Sequence, residues 1–516
     1  MTTPRGSVDP KIRDFLRRPG VLSAEGPDHE IETHAGHVFL AGDTAWKLKK
    51  DVRFSYLDFS SPRLRQAALQ REFSLNGSHA PEIYLGLSFV TESTDGGLSV
   101  DGKGRPIEAM LRMRRFAQAD LFDRMAESNR LEQGHIEALA RVVRRMHDQA
   151  PPPGVDLDAA GVFRAVVEDN FAAFAQHPKL FSNPRLDQLA STARTHLNQL
   201  RDLLRARMDR GYVRRCHGDL HLGNIVLWQG TPTAFDALEF DEVLATTDLH
   251  YDLAFLLMDL LHRGLEGHAN LLWSDYLIEA ESEELEGLQA LPLFLSTRAA
   301  VRAKVEADRA GAIQAPTQRS QAEGRARAYF ELALDSLQPF EPRLLAVGGL
   351  SGTGKTTLAR SLAVRTHGPL GALVLRSDQE RRALAGVPIG RKLPPEWYEP
   401  DVNVEVYRRL HKKADAALRS GISVIIDAVH GRPEERHQTG AVAEDLGLRF
   451  QGLWLEADPE TLIERVDRRV GDASDADAEV VRRQLSKDPG LIDWHPIDST
   501  PGADAAARQA RAELGL

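Results

Sequence analysis

In residues 37–49, HVFLAGDTAWKLK, apolar and polar positions alternate around the turn-forming Ala41-Gly42-Asp43, and that period of two predicts a β-hairpin. Residues 61–75, SPRLRQAALQREFSL, open with Ser-Pro and then carry apolar side chains at helical spacing, which predicts a helix. A second strand pair falls at 83–90 and 106–113, divided by the turn-rich TDGGLSVDGKG. From about residue 120 to 335 the spacing is mostly helical, interrupted by PPPG at 151–154 and by short apolar stretches near 225 and 235. The expectation is a small β-rich lobe, about 30–115, followed by a larger helical lobe, about 116–337.

The pattern changes after QPFEPR, 338–343, where two prolines precede the apolar run LLAVGGL. Beyond this linker LLAVGG, ALVLRSD, SVIIDA and QGLWLEA are near-continuous apolar strands separated by helical stretches. That is the pattern of a parallel sheet covered on both faces. In VNVEVYRRLHKKADAALRSG, Val404, Tyr407, Leu410, Ala414 and Leu418 are expected to form one helix face, with Gly421 at the C-terminal cap. The chain therefore divides into domains at 1–337 and 344–516.

Composition narrows the class. Hydrophobic residues at 42% and charged residues at 27% describe a globular protein, and no apolar run approaches the roughly 18 residues of a membrane helix. The N-terminal MTTPRGSVDPKIRDF lacks the apolar segment of a secretory signal, and one cysteine, Cys216, excludes an internal disulfide and a cysteine-based zinc site. A reducing, cytoplasmic location is expected. The net charge of −10 argues against a broad nucleic-acid surface but leaves room for small anionic ligands held by a local cluster.

Two stretches carry the chemistry. Gly349 to Thr356, GLSGTGKT, match G-x-x-x-x-G-K-[ST] between an apolar strand and a helix. Gly349, Gly352 and Gly354 let the loop turn its N–H groups onto phosphate oxygens, with Ser351, Thr353 and Thr357 in the same cradle. Lys355 is expected on the β- and γ-phosphates and the Thr356 hydroxyl on Mg²⁺. Asp378, at the carboxyl end of the second strand, can accept a proton from a substrate hydroxyl or cap the following helix. Asp427, ending SVIIDA, is a candidate metal-side acid. Farther on, Arg465, Arg468, Arg469, Arg482 and Arg483 form a flap; Arg465 and Arg469 are expected to neutralise phosphoryl charge, the alternative being a solvated helix of paired charges.

The second stretch is HGDLHLGN, 217–224. Asp219 and Asn224 stand five positions apart, the spacing of the kinase catalytic loop H-R-D-x-x-x-x-N, in which the aspartate takes the acceptor proton and the asparagine ligates Mg²⁺. His217 is expected to brace the loop, and Asp236 in AFDALEF to bind metal as the D-F-G aspartate does. Lys47 on the second hairpin strand and Glu72 on the next helix suit the lysine–glutamate pair that holds the α- and β-phosphates; Lys49 on the same strand face is the alternative lysine.

On these residues, 344–516 resembles a small-molecule P-loop kinase of the gluconate/shikimate kinase and zeta-toxin type, through GLSGTGKTTLA, RSD, SVIIDAV and the R…R…DASDA…Q flap. Residues 30–335 resemble the aminoglycoside phosphotransferase/choline kinase branch of the protein-kinase-like fold, through Asp219, Asn224 and Asp236. The fused whole is similar to bacterial two-domain proteins that join these kinases. The resemblance implies an α+β bilobal kinase-like domain followed by an α/β P-loop domain with a parallel sheet. It also implies a hinge at LRMRRF whose backbone, at Met113, meets adenine, and support of the catalytic loop by Asp248 and Asp252. The first hairpin departs from protein kinases in lacking G-x-G-x-x-G, and LATTDL has Ala245 and Thr246 where an arginine is expected. An acceptor could be held instead by Arg298, Arg302 and Lys304. The implied function is transfer of the ATP γ-phosphoryl group, with Mg²⁺, to hydroxyls of a sugar, aminosugar or aminocyclitol, at both sites. The alternatives are one catalytic domain with a regulatory nucleotide-binding partner, and a toxin-like kinase of nucleotide sugars.

Overall fold

The computed structural model describes all residues except 1–6, 34, 55–56, 155–156, 365, 367, 389–390, 469–475 and 516. The chain forms two compact units, Met1–Leu157 with Val213–Asp252, and Asp158–Tyr212 with Leu253–Leu516.

The first unit is built on a six-stranded antiparallel sheet. The predicted hairpin is Gly36–Ala41 paired with Thr44–Lys49, and the second pair is Tyr84–Glu92 with Arg105–Arg114. His29–Glu32 and Leu98–Val100 add edge strands that sequence pattern alone did not reveal. Strand alternation sorts the side chains. Trp46 and Leu48 join Phe39, Val90 and Met110 beneath a short helix, Pro10–Leu16, which supplies Ile12, Phe15 and Leu16. Lys47 and Lys49 point to the opposite face, toward the predicted helix, Pro62–His79. That helix starts behind the N-cap Ser61 and buries Ala68, Leu69, Glu72 and Asn76.

In the second unit, helices Leu291–Ala312 and Pro316–Asp335 pack closely. Ala299, Ala303, Ala307 and Ala310 on the first helix and Ala322, Ala326 and Ala333 on the second are all buried, small side chains that suit close packing of the two helices. Arg298, Arg302 and Lys304 are engaged within this unit: Arg298 lies over Phe255, Arg302 over Tyr329, and Lys304 pairs with Asp169.

The same unit contains a five-stranded, all-parallel sheet. Its order is Leu373–Arg376, Val424–Asp427, Arg343–Gly349, Arg449–Glu456, His495–Asp498. Four of these strands follow the apolar runs; the fifth, HPID, has too short an apolar signal to stand out. The edge strand Leu373–Arg376 does not end in solvent. Asn270, from helix Glu266–Tyr276, donates to the Leu370 and Ala372 carbonyls at 2.8 Å each, and Ser274 accepts the Val374 N–H at 3.3 Å. These contacts satisfy backbone groups that an open edge would leave to other chains.

Helix Pro400–Arg419 buries Tyr407, Leu410, Ala414 and Leu418 as expected, and Gly421 follows it with φ +80°. Val404 is the exception at 63% exposure. At 100° per residue it lies about 120° from Leu410, which centres the buried face that also takes in Val406, Lys413 and Ala417. Among the described residues no helix is long and apolar enough to cross a membrane.

Candidate active sites

The first site forms where HGDLHLGN meets the sheet. Buried His217 donates from Nε2 to the Phe235 carbonyl at 3.0 Å, and its Nδ1 faces the Asp219 N–H at 3.4 Å. Burial lowers its pKa, so the neutral ring bridges the 217–224 loop and the strand before Asp236. Asp252 Oδ1 accepts the Gly218 N–H at 2.8 Å, while its Oδ2 meets His147 at 3.2 Å. Asp248 accepts the His250 N–H at 2.8 Å. Asn224 donates from Nδ2 to both the carbonyl and Oδ2 of Asp219, each at 3.0 Å, which turns its carbonyl oxygen away as a potential metal ligand. His221, two residues after Asp219, brings Nε2 to 3.6 Å from the same carboxylate.

Lys47 joins these loops. Its ammonium lies 2.7 Å from Glu72 Oε1 and 2.7 Å from Asp236 Oδ1. Burial works against the charge, but Asp236 and Glu72 outweigh it and hold the lysine well above its usual pKa. Burial likewise opposes ionisation of Asp236, and Lys47 overcomes it, leaving that carboxyl below the usual range. Lys49 reaches the other oxygen of Glu72 at 2.7 Å and also Glu239 at 2.6 Å. Both lysines considered from sequence thus share Glu72, but only Lys47 is paired with Asp236. Asp236 has φ +60°, a left-handed conformation costly for a non-glycine, and donates its N–H to the Tyr84 hydroxyl at 3.0 Å. Tyr84, His221 and Glu239 are additions that sequence spacing did not single out; His221 had a local signal in HGDLH. Met113 lies within its strand between Ala45 and Tyr84, and the chain leaves the sheet after Arg114.

The second site lies at the carboxyl ends of the parallel strands. The loop from Gly349 leads into helix Lys355–Ala363, whose N-cap is Gly354. Gly349 and Gly352 have φ of +133° and +89°, and a Cβ on either would lie 2.5 or 2.6 Å from the carbonyl oxygen of Leu455 or Leu462. Neither position admits a side chain. Thr353 and Lys355 both donate to the Leu350 carbonyl, at 2.8 and 2.9 Å. The Thr356 hydroxyl meets Asp427 Oδ2 at 2.6 Å, so the two expected metal-side groups are in direct contact. Buried Arg376 stands 3.4 Å from the same oxygen. Ser351 donates its N–H to Gln484 Oε1 at 2.8 Å, and Thr357 is exposed.

Asp378 is half-buried in the first turn of helix Ser377–Ala385, one position past the start, with Arg376 rather than Asp378 as the N-cap residue. Arg465 donates to the Ser499 and Thr500 carbonyls at 2.8 and 3.4 Å; Arg468 and Arg483 pair with Glu464 and Glu479 on their own helices. Arg469 lies outside the described residues.

Comparisons with known proteins match separate stretches of the chain. A family model described as phosphotransferase enzyme family matches residues 61–288, and one described as AAA domain matches residues 344–488. An uncharacterized protein of Mycobacterium tuberculosis is 30% identical over 487 residues, 93% of this chain and 94% of the relative. A shikimate kinase of Nitrobacter winogradskyi is 33% identical over 127 residues, 25% of this chain and 53% of that protein. A solved choline/ethanolamine kinase family protein from Mesorhizobium loti aligns with 15% identity and TM-score 0.36, covering 63% of this chain and 98% of that one. The molecule is a phosphotransferase with a hydroxyl acceptor, a kinase-like domain followed by a P-loop domain. It belongs to the same family as the mycobacterial protein, which it matches across nearly the whole length of both.

Proposed function

We propose that the chain is a bifunctional Mg-ATP-dependent kinase whose two sites phosphorylate hydroxyls of small metabolites such as sugars, aminosugars or aminocyclitols. The observation that carries this reading is that each site brings groups distant in sequence into contact: Lys47 with Glu72 and Asp236, and Thr356 with Asp427.

The donor atoms fit Mg²⁺. Asn224 and Asp236 in the first site, and Thr356 and Asp427 in the second, offer the hard oxygen ligands that this ion prefers. Bound there with ATP, it would neutralise charge on the transferring phosphoryl group. The protein's own part is positioning. In the first site Asp219, oriented by Asn224, takes the acceptor proton at its carboxylate, and Lys47 meets the phosphate oxygens. In the second the glycine loop and Lys355 hold the phosphates, and Asp378 takes the proton. Among the described residues the Asp378 carboxylate makes no hydrogen bond or ion pair, which leaves it available to an acceptor.

The test is ATP-dependent phosphorylation of a metabolite extract, read by mass spectrometry, on wild type, Asp219→Asn and Lys355→Ala. Each substitution is expected to remove a different product. If one substitution changes no product, the claim reduces to a single kinase with a regulatory second domain.

A further inference from the structure

The helix that carries Asp378 is anchored by residues from the other family segment. Gln379, next to Asp378, donates from Nε2 to Asp275 Oδ1 at 2.9 Å. Glu380, 3% exposed, takes Arg409 at 2.5 Å and Lys413 at 2.6 Å. Lys413 passes the connection on, donating to the Ile278 carbonyl at 2.6 Å. Alongside, Asn270 and Ser274 hold the strand that leads into this helix. Asn270, Ser274, Asp275 and Ile278 all lie in the stretch matched by the phosphotransferase model, whereas Asp378 lies in the stretch matched by the P-loop model.

A nine-residue helix has little stability of its own, so its direction is set by what it packs against. The two residues after Asp378 are pinned at fixed points, and a buried Glu380 keeps its place only while its cations stay paired to it. A proton acceptor must be placed to within a fraction of an ångström of its target, and its neighbours' anchors decide that placement.

We propose that Asp275, acting through Gln379, is a positioning residue for the P-loop site, so that the second phosphoryl transfer depends on the first segment's helix without depending on Asp219. This rests on reading Asp378 as the base. Asp275 touches no reacting atom; it sets the rotation of the helix that presents Asp378.

The experiment uses the full chain with Asp275→Ala and Asp275→Asn. Three readouts are taken: the Lys355-dependent product from a metabolite extract, ADP affinity in Mg²⁺ buffer, and hydrogen exchange of residues 377–385. Asp275→Ala is expected to slow the Lys355-dependent product about tenfold. The Asp219-dependent product and ADP affinity should stay unchanged, and exchange in 377–385 should quicken. Asp275→Asn keeps an oxygen acceptor for Gln379 and is expected to restore both exchange and rate. The proposal is overturned if Asp275→Ala matches wild type in exchange and in product, if both products fall together, or if Asn fails to rescue. If wild type makes no Lys355-dependent product while exchange still responds to Ala and not to Asn, the anchoring stands and the kinase reading of the second site fails.

Discussion

Lys47 and Lys49 stand two residues apart on one strand, so both face Glu72, and sequence favoured Lys47 while leaving Lys49 as the alternative. The structure separates them by their second partners, Asp236 for Lys47 and Glu239 for Lys49. Lys47→Met is expected to lower Asp219-dependent phosphorylation on the order of 10²-fold, as loss of a phosphate-side electrostatic contact does. Lys49→Met is expected to act chiefly on the melting temperature, because it strips a cation from two buried carboxylates. Rates and melting curves on both variants distinguish the two. Two other side chains set an acid limit. Burial lowers His411 to about 4 and His430 to about 3, from the ordinary 6.5. Below pH 6.5 the unfolded chain binds protons that the folded chain refuses, so stability is full above that pH and declines toward pH 4. In mid-window each histidine contributes about 1.4 kcal/mol per pH unit. His430 has φ +53°, which asparagine tolerates, so His430→Asn is expected to give a shallower slope of urea midpoint against pH.

At the scale of elements, contiguous chemistry was legible and distant chemistry was not. GLSGTGKT and HGDLHLGN announce their loops because the residues that act together are neighbours in sequence. The Thr356–Asp427 pair could be anticipated from topology, since strands Arg343–Gly349 and Val424–Asp427 pair in parallel and the loop after the first leads to Thr356 at the end where Asp427 closes the second. Gln484 on the Ser351 N–H, and Asp275 on Gln379, join residues more than 100 positions apart and carry no local pattern. The fifth strand shows the same limit. It brings up Trp494, which lies against Gly452 and Gly348 in the core with Trp454 and Ala346. A Cβ at Gly452 would fall 2.2 Å from the Trp494 ring. Gly452→Ala is therefore expected to destabilise the protein by about 1–3 kcal/mol, the usual range for overpacking, measured by chemical denaturation.

At the scale of the whole molecule, the sequence boundary at 338–343 marks a change of pattern, while the compact units group the parallel sheet with helices that precede it. The family models follow the pattern, and packing follows the contacts of Asn270 and Ser274. Residues 344–516 produced alone would present the backbone of Leu373–Arg376 as an open edge. That fragment is expected to self-associate, visible as a higher mass by light scattering, and the full chain is expected to be free of that edge-driven association.

The covering of that edge also has an order in time. Asn270 precedes the Leu370 carbonyl it binds by 100 residues, so a ribosome adding about 5–20 residues per second delivers the helix roughly 5–20 s before the strand. The cover is made first and the exposed edge second. A rearranged gene encoding the parallel sheet ahead of the helices would reverse that order, and the nascent strand would wait uncovered among its neighbours on the same polysome.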